Sequence, residues 1–157
     1  MILNPTARQV IEAIYDTLHA ESNEIKGPTG LLADVKDGAW YLNHINSVQR
    51  LEPFFMIEQT SKKVMPKTCS PGGQDWHEYT FTAVFGNWGE ESSAQREQCY
   101  KLSQTAQDIL RPNDCGVFFM PLDIEEADIM PFKNDAGDMV WFAGFTIKGT
   151  VKYYRPR

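Results

Sequence analysis

The residues with chemical potential fall in a few short stretches. Asp75-Trp76-His77-Glu78 gathers a histidine and two carboxyl groups, types that serve general acid–base catalysis or bind zinc. Cys69, beside Lys67, has a neighbouring cation that would favour a thiolate, but a nucleophile also needs a base and a pocket. Asp123, Glu125, Glu126 and Asp128 are dense enough for paired-carboxylate hydrolysis or a divalent cation. Gly86-Asn87-Trp88-Gly89 has the small residues of an anion cradle.

Each stretch depends on the element that holds it. Tyr79, Phe81, Ala83 and Phe85 alternate with Glu78, Thr80 and Thr82, which reads as a half-buried strand. On that strand His77 and Glu78 point to opposite faces, so they do not converge on one metal. His77 shares its parity with Tyr79 and Phe81 and belongs at the end of the apolar face. The acidic stretch matches no calcium loop and reads as a solvated strand edge whose charges discourage stray pairing. The glycines before Glu90-Glu91 lack GxGxxG or GxxxxGK spacing, and the two carboxylates would repel phosphate. His19 ends a helix, Cys99 lies on an apolar helical face and Cys115 follows a turn. No GxSxG pattern occurs. The balance favours an interaction or structural protein over an enzyme, with no cofactor and no metal.

The elements follow from periodicity. Asn4-Pro5 reads as a helix start, and Val10, Ile11, Ile14 and Leu18 continue it as one apolar stripe to about Ala20. Trp40 to Ile45 is a weak strand. Phe54–Lys63 and Trp76–Phe85 read as a hairpin around the loop MPKTCSPGG, residues 65–73. Ser92 and Gln95 have capping-box spacing, and Cys99, Leu102, Ala106, Ile109 and Leu110 form the stripe of a second helix. Ile124–Phe132 and Met139–Tyr154 flank Asn134-Asp135-Ala136-Gly137 as a second hairpin. The expected fold is α+β in a single domain: a mostly antiparallel sheet of about five strands, two amphipathic helices on one face, and long hairpins projecting.

The last strand is the longest feature. Trp141, Ala143, Phe145, Ile147, Val151 and Tyr153 face one side, and Thr146, Lys148, Thr150 and Lys152 the other. At about 3.3 Å per residue the run would reach roughly 50 Å, well beyond a usual strand. It must bend at Gly144 or Gly149, or extend to pair with another chain.

Composition narrows the function classes. The 157 residues carry a net charge of −6, with 42% hydrophobic and 12% aromatic residues. Tight nucleic-acid binding needs clustered cations, and the only compact basic pairs are Lys62-Lys63 and Arg155 with Arg157. The three cysteines show no CxxC spacing and Met1 leads into a polar helix start, so a cytoplasmic protein with reduced thiols is expected. No run approaches the ~20 apolar residues of a membrane span.

The series NPTARQVIEAIYDTLHA, PFFMIEQTSKK, WHEYTFTAVFG, SSAQREQCYKLSQTAQDIL, DIEEADIMPF and MVWFAGFTIKGTVKYY resembles, in order and spacing over nearly the whole chain, the tail terminator (tail-completion, head–tail joining) proteins of long-tailed bacteriophages and related contractile particles. The resemblance implies a homohexameric ring in the virion neck, assembled in the bacterial host cytoplasm. Such a ring would cap the tail tube, stop tail polymerisation and join tail to head. Its partners would be further copies of itself, the tail tube protein, a neck connector protein and, in a contractile tail, the sheath. DNA would pass through without specific binding, and no membrane is involved. Subunit or tube contacts are then expected from Cys69, Pro71, Trp76, Trp88, Trp141, Phe145 and Tyr153. The lumen or an inter-ring face would take Glu125, Glu126 and Asp128. The alternatives are another neck component, such as a head-completion or stopper protein, a small α+β enzyme using His77 and Glu78, or a monomeric module with an aromatic ligand pocket.

Overall fold

The computed structural model describes residues 3–22, 32, 34–35, 39–42, 53–67, 72–88, 93–127, 132–133 and 139–156. In chain order its elements are α1 (Ala7–Ser22), β1 (Trp40–Leu42), β2 (Phe54–Pro66), β3 (Gln74–Trp88), α2 (Ser93–Leu110), β4 (Asp123–Ala127), β5 (Phe132–Lys133) and β6 (Met139–Tyr154). The six strands make one sheet in the order β1-β2-β3-β6-β4, with β5 also on β6. β1 runs parallel to β2 and every other pair is antiparallel. This is the α+β fold expected from the sequence, with β4 and β5 at the two ends of the stretch read as a strand over 124–132, whose middle lies outside the described residues.

α1 buries Val10, Ile11, Ile14 and Leu18, the stripe that its periodicity requires. Its cap is not Asn4. Thr6 Oγ1 accepts from the Gln9 amide at 3.2 Å and Gln9 Oε1 accepts from the Thr6 amide at 2.9 Å, a reciprocal capping box. Asn4, at φ 47°, serves the sheet instead. Its side chain donates to the Tyr154 carbonyl at 2.9 Å and accepts from the Tyr154 amide at 2.8 Å, standing in for a neighbouring strand.

α2 buries Cys99, Leu102, Ala106 and Leu110 together with polar Ser103 and Gln107. Gln107 donates to Ser103 Oγ at 3.2 Å and accepts from Arg111 at 3.1 Å, so its buried amide is satisfied.

Both helices cover the same sheet face. Tyr15 of α1 reaches Phe55 and donates to the Trp40 carbonyl, and Cys99 of α2 lies against the Trp141 carbonyl. Between helices and sheet lie Phe55, Ile57, Tyr79, Phe81, Phe85, Phe145 and Ile147. The opposite face carries Glu78, Thr80, Thr82, Thr146, Lys148 and Thr150 at paired positions. There an aromatic group, Phe54 with Tyr41 and Phe142, fills only the end near β1.

β6 does not leave the sheet. It pairs with β3 without a break from Trp88↔Val140 to Gln74↔Tyr154, so its length is matched by an equally long central partner. The ladder runs through Gly149 without a register shift; Phe118 and Leu122 pack directly on its backbone, where an added Cβ would clash with the Phe118 ring. The more exposed part of this ladder is the second half of β2. Among the described residues β1 covers Phe55 to Ile57, and beyond the bulge between Gln59 and Ser61 the strand is largely exposed through Pro66.

Candidate functional site

The expected site residues do not gather in one place. Cys69, Pro71 and Asp128 lie outside the described residues. Trp88 ends β3, opposite Val140. Phe145 is fully buried in the core, so it offers no surface to a partner; its parity puts it beneath the helices. Trp141, on the same face, lies under the guanidinium of Arg96, 5.6 Å from its ring. Tyr153 is engaged within the chain: its ring stacks on His77 at 3.7 Å, and its hydroxyl pairs with that of Tyr79 at 2.8 Å and donates to the Pro5 carbonyl.

Trp76 takes a different position, on the sheet face that the helices leave open. It meets Phe119 edge-on at 5.0 Å. Lys67 sits 4.4 Å above the Trp76 ring and Lys152 4.5 Å above the Phe119 ring, and such cation–π contacts contribute about 0.5–1 kcal/mol each when exposed. Sequence spacing offered no signal for Phe119, because its amide reaches the Thr150 carbonyl at 3.2 Å across the sheet edge.

The shifted titratable groups among the described residues owe their shifts chiefly to burial. His77 is held below its ordinary pKa, first by desolvation, then by Lys62, against an upward pull from Asp75. Tyr79 is raised by burial and by its hydrogen bond to Tyr153. Lys62 lies 5.3 Å above the Tyr79 ring and 5.7 Å above the Tyr153 ring. Glu78 faces away from this cluster, by the alternation of β3. Burial pushes the Cys99 thiol up to about 12. Cys115, also raised chiefly by burial, lines a shallow depression with Gln9, Glu12, Ala13, Asp16 and Thr17. A hydrogen bond with Thr17 pulls the thiol the other way, and the charge of Asp114 adds to the rise. Among the described residues, no three His, Cys, Asp or Glu side chains come together as metal ligands.

Among the described residues, backbone is available for pairing at the sheet's two edges. On β2, Gln59 to Val64 is exposed, including Val64 at 49%. On β4, Asp123, Glu125 and Glu126 are exposed while Ile124 and Ala127 are half-buried. Among the described residues neither strand has a partner on its outer side over these stretches. The described helices are not long and apolar enough to cross a membrane.

No protein-family model matches the chain, and no curated protein matches it.

Proposed function

We propose that this protein is a structural component of a bacteriophage neck, a ring that caps the tail tube, stops its polymerisation and joins it to the head connector. One observation carries the reading: among the described residues, the exposed second half of β2 has no partner strand on its outer side. Open edges recruit other chains unless they are covered; on this one the bulge, Lys62, Lys63 and Pro66 narrow which strand can pair. A protein that keeps an open edge, and whose described histidine, cysteine and carboxylate groups do not gather as metal ligands, is suited to assembly by strand addition.

A head-to-tail contact that closes by rotation gives a ring of identical copies. The net charge of −6 suits a channel through which DNA slides without being gripped. The remaining partners would be the tube protein on one side and a connector protein on the other, with the sheath around them in a contractile particle.

The test is electron microscopy of particles made without the protein. Overlong or uncapped tails are expected; normal tails unattached to heads would reassign it to a connector, and normal infectious particles would overturn the neck reading. Replacing Thr68–Gly73 by a two-residue turn should leave a folded protein that fails to cap tails.

A further inference from the structure

We infer that the subunit contact is an antiparallel strand pairing in which Lys62–Val64 on β2 of one copy meets Ile124–Glu126 on β4 of the next. The inference takes its head-to-tail closure from the ring reading, but its register comes from this chain's own edges.

Direction comes first. β2 is antiparallel to β3, β3 to β6 and β6 to β4, so β2 and β4 run in opposite directions. Continuing the sheet from one copy into the next therefore makes an antiparallel joint.

Hydrogen-bond phase comes second. In an antiparallel ladder alternate residues turn their N–H and C=O to opposite sides of the strand. The Lys67 amide donates to the Gln74 carbonyl at 3.1 Å, so Lys67, Met65 and Lys63 turn toward β3 while Lys62 and Val64 turn outward. On the other flank, the Thr150 carbonyl accepts from Phe119 and Tyr154 bonds to Asn4, so the even-numbered residues of β6 turn toward β4. Lys148, Thr146 and Gly144 face Asp123, Glu125 and Ala127, which leaves Ile124 and Glu126 turned outward. Pairing Lys62 with Glu126 and Val64 with Ile124 thus brings outward backbone groups together in phase.

Side chains agree with the same register. Lys62 and Glu126 both lie on the helix-covered face, since they are opposite Tyr79 and Phe145. Lys63 and Glu125, opposite Glu78 and Thr146, both lie on the other. Each lysine meets a carboxylate, and exposed Val64 meets half-buried Ile124. Two β2 edges would oppose lysine to lysine, and two β4 edges carboxylate to carboxylate, so self-pairing of either edge is disfavoured. Only the heterologous joint is complementary.

The register is tested by a Lys63→Cys, Glu125→Cys variant of the full chain, with Cys69→Ser and Cys115→Ser so that buried Cys99 is the one native thiol left. Directly opposed residues of an antiparallel pair are about 4.5–5.5 Å apart at Cα, within disulfide reach. Mild oxidation at high protein concentration and low salt should give a covalent ladder of oligomers. Lys63→Cys with Glu126→Cys, which lie on opposite faces, should not. No ladder, or equal ladders from both, overturns the inference.

A second measurement uses charge. Lys62→Glu, Lys63→Glu and Glu125→Lys, Glu126→Lys should each weaken association roughly tenfold or more, and mixing the two variants should restore it. Failure of the mixture to recover overturns the pairing. Covalent rings from a protein whose absence leaves tails normal would sink the neck reading and keep this contact. Uncapped tails with no ladder would do the reverse.

Discussion

The two halves of β2 share a strand, a partner and a hairpin, yet they meet different surroundings. From Phe54 to Ile57 the strand lies between β1 and β3, with Phe54, Phe55 and Ile57 buried. From Gln59 to Pro66 it keeps β3 on one side and exposes most of its side chains. The bulge between Gln59 and Ser61 marks the change. Bulges bend a strand and alter its twist, so one continuous ladder can serve a core at one end and a free edge at the other. Pro66 fits this division: its backbone turns outward, where a missing N–H costs nothing until another strand arrives.

Truncation would break the comparison most decisively. Phe55→Ala removes a ring packed against Trp40 and Phe85 and is expected to cost about 3–5 kcal/mol. Val64→Ala, in the outer half, should change stability by less than about 0.5 kcal/mol in the free protein. Urea unfolding of both variants reads the contrast; a cost above 2 kcal/mol, roughly the core range, for Val64→Ala would mean that the outer half is core.

A smaller effect is expected at Gly149, where the core reaches past the middle of the sheet. An added Cβ would meet the rings and methyls of Phe118 and Leu122, and overpacking of this kind costs about 1–3 kcal/mol. Gly149→Ala should be partly rescued by Phe118→Leu. Additive losses in the double variant would show that the two positions do not press on each other.

Smaller again are the polar fixtures at the chain's start. Thr6→Ala should cost about 1 kcal/mol through the helix cap, and Asn4→Ala about 0.5–1.5 kcal/mol through the bonds to Tyr154. Hydrogen exchange separates the two. Thr6→Ala should loosen the first turn of α1, and Asn4→Ala the end of β6.

These distinctions explain how much could be read in advance. The α1 stripe, the alternation of β3 and the parity of His77 against Glu78 are local patterns, and each survives intact in the structure. The β2–β3 hairpin was legible too, although its strands run on to Pro66 and Trp88. What escaped depends on contacts between distant parts of the chain. Asn4 has the composition of a helix cap, but Tyr154 is its partner. The length of β6 suggested an arm because nothing local reveals that β3 matches it residue for residue. Phe145 is among the expected subunit or tube contacts, while its burial depends on where the helices land. The opposed edges were visible only as two charge runs; their phase required the ladder.

The least perturbing experiment addresses the border between the two halves' environments. His77 stands opposite Val64 of the exposed half and stacks on Tyr153 of the buried side. Its pKa lies below 6.5, mainly through desolvation and secondarily through Lys62. Because the folded state binds this proton less readily than the unfolded chain, His77 costs nothing well above pH 6.5. As pH falls below the unfolded value and toward the folded one, the unfolded chain takes up its proton first, and stability declines. His77→Gln should flatten that decline. Lys62→Gln should raise the His77 pKa toward its ordinary value without abolishing the shift, since burial remains, and an NMR titration of the imidazole reads both effects. If Lys62→Gln restored the ordinary value completely, charge rather than desolvation would dominate at this position. The boundary would then lie one step deeper, with His77 belonging to the solvent-exposed half.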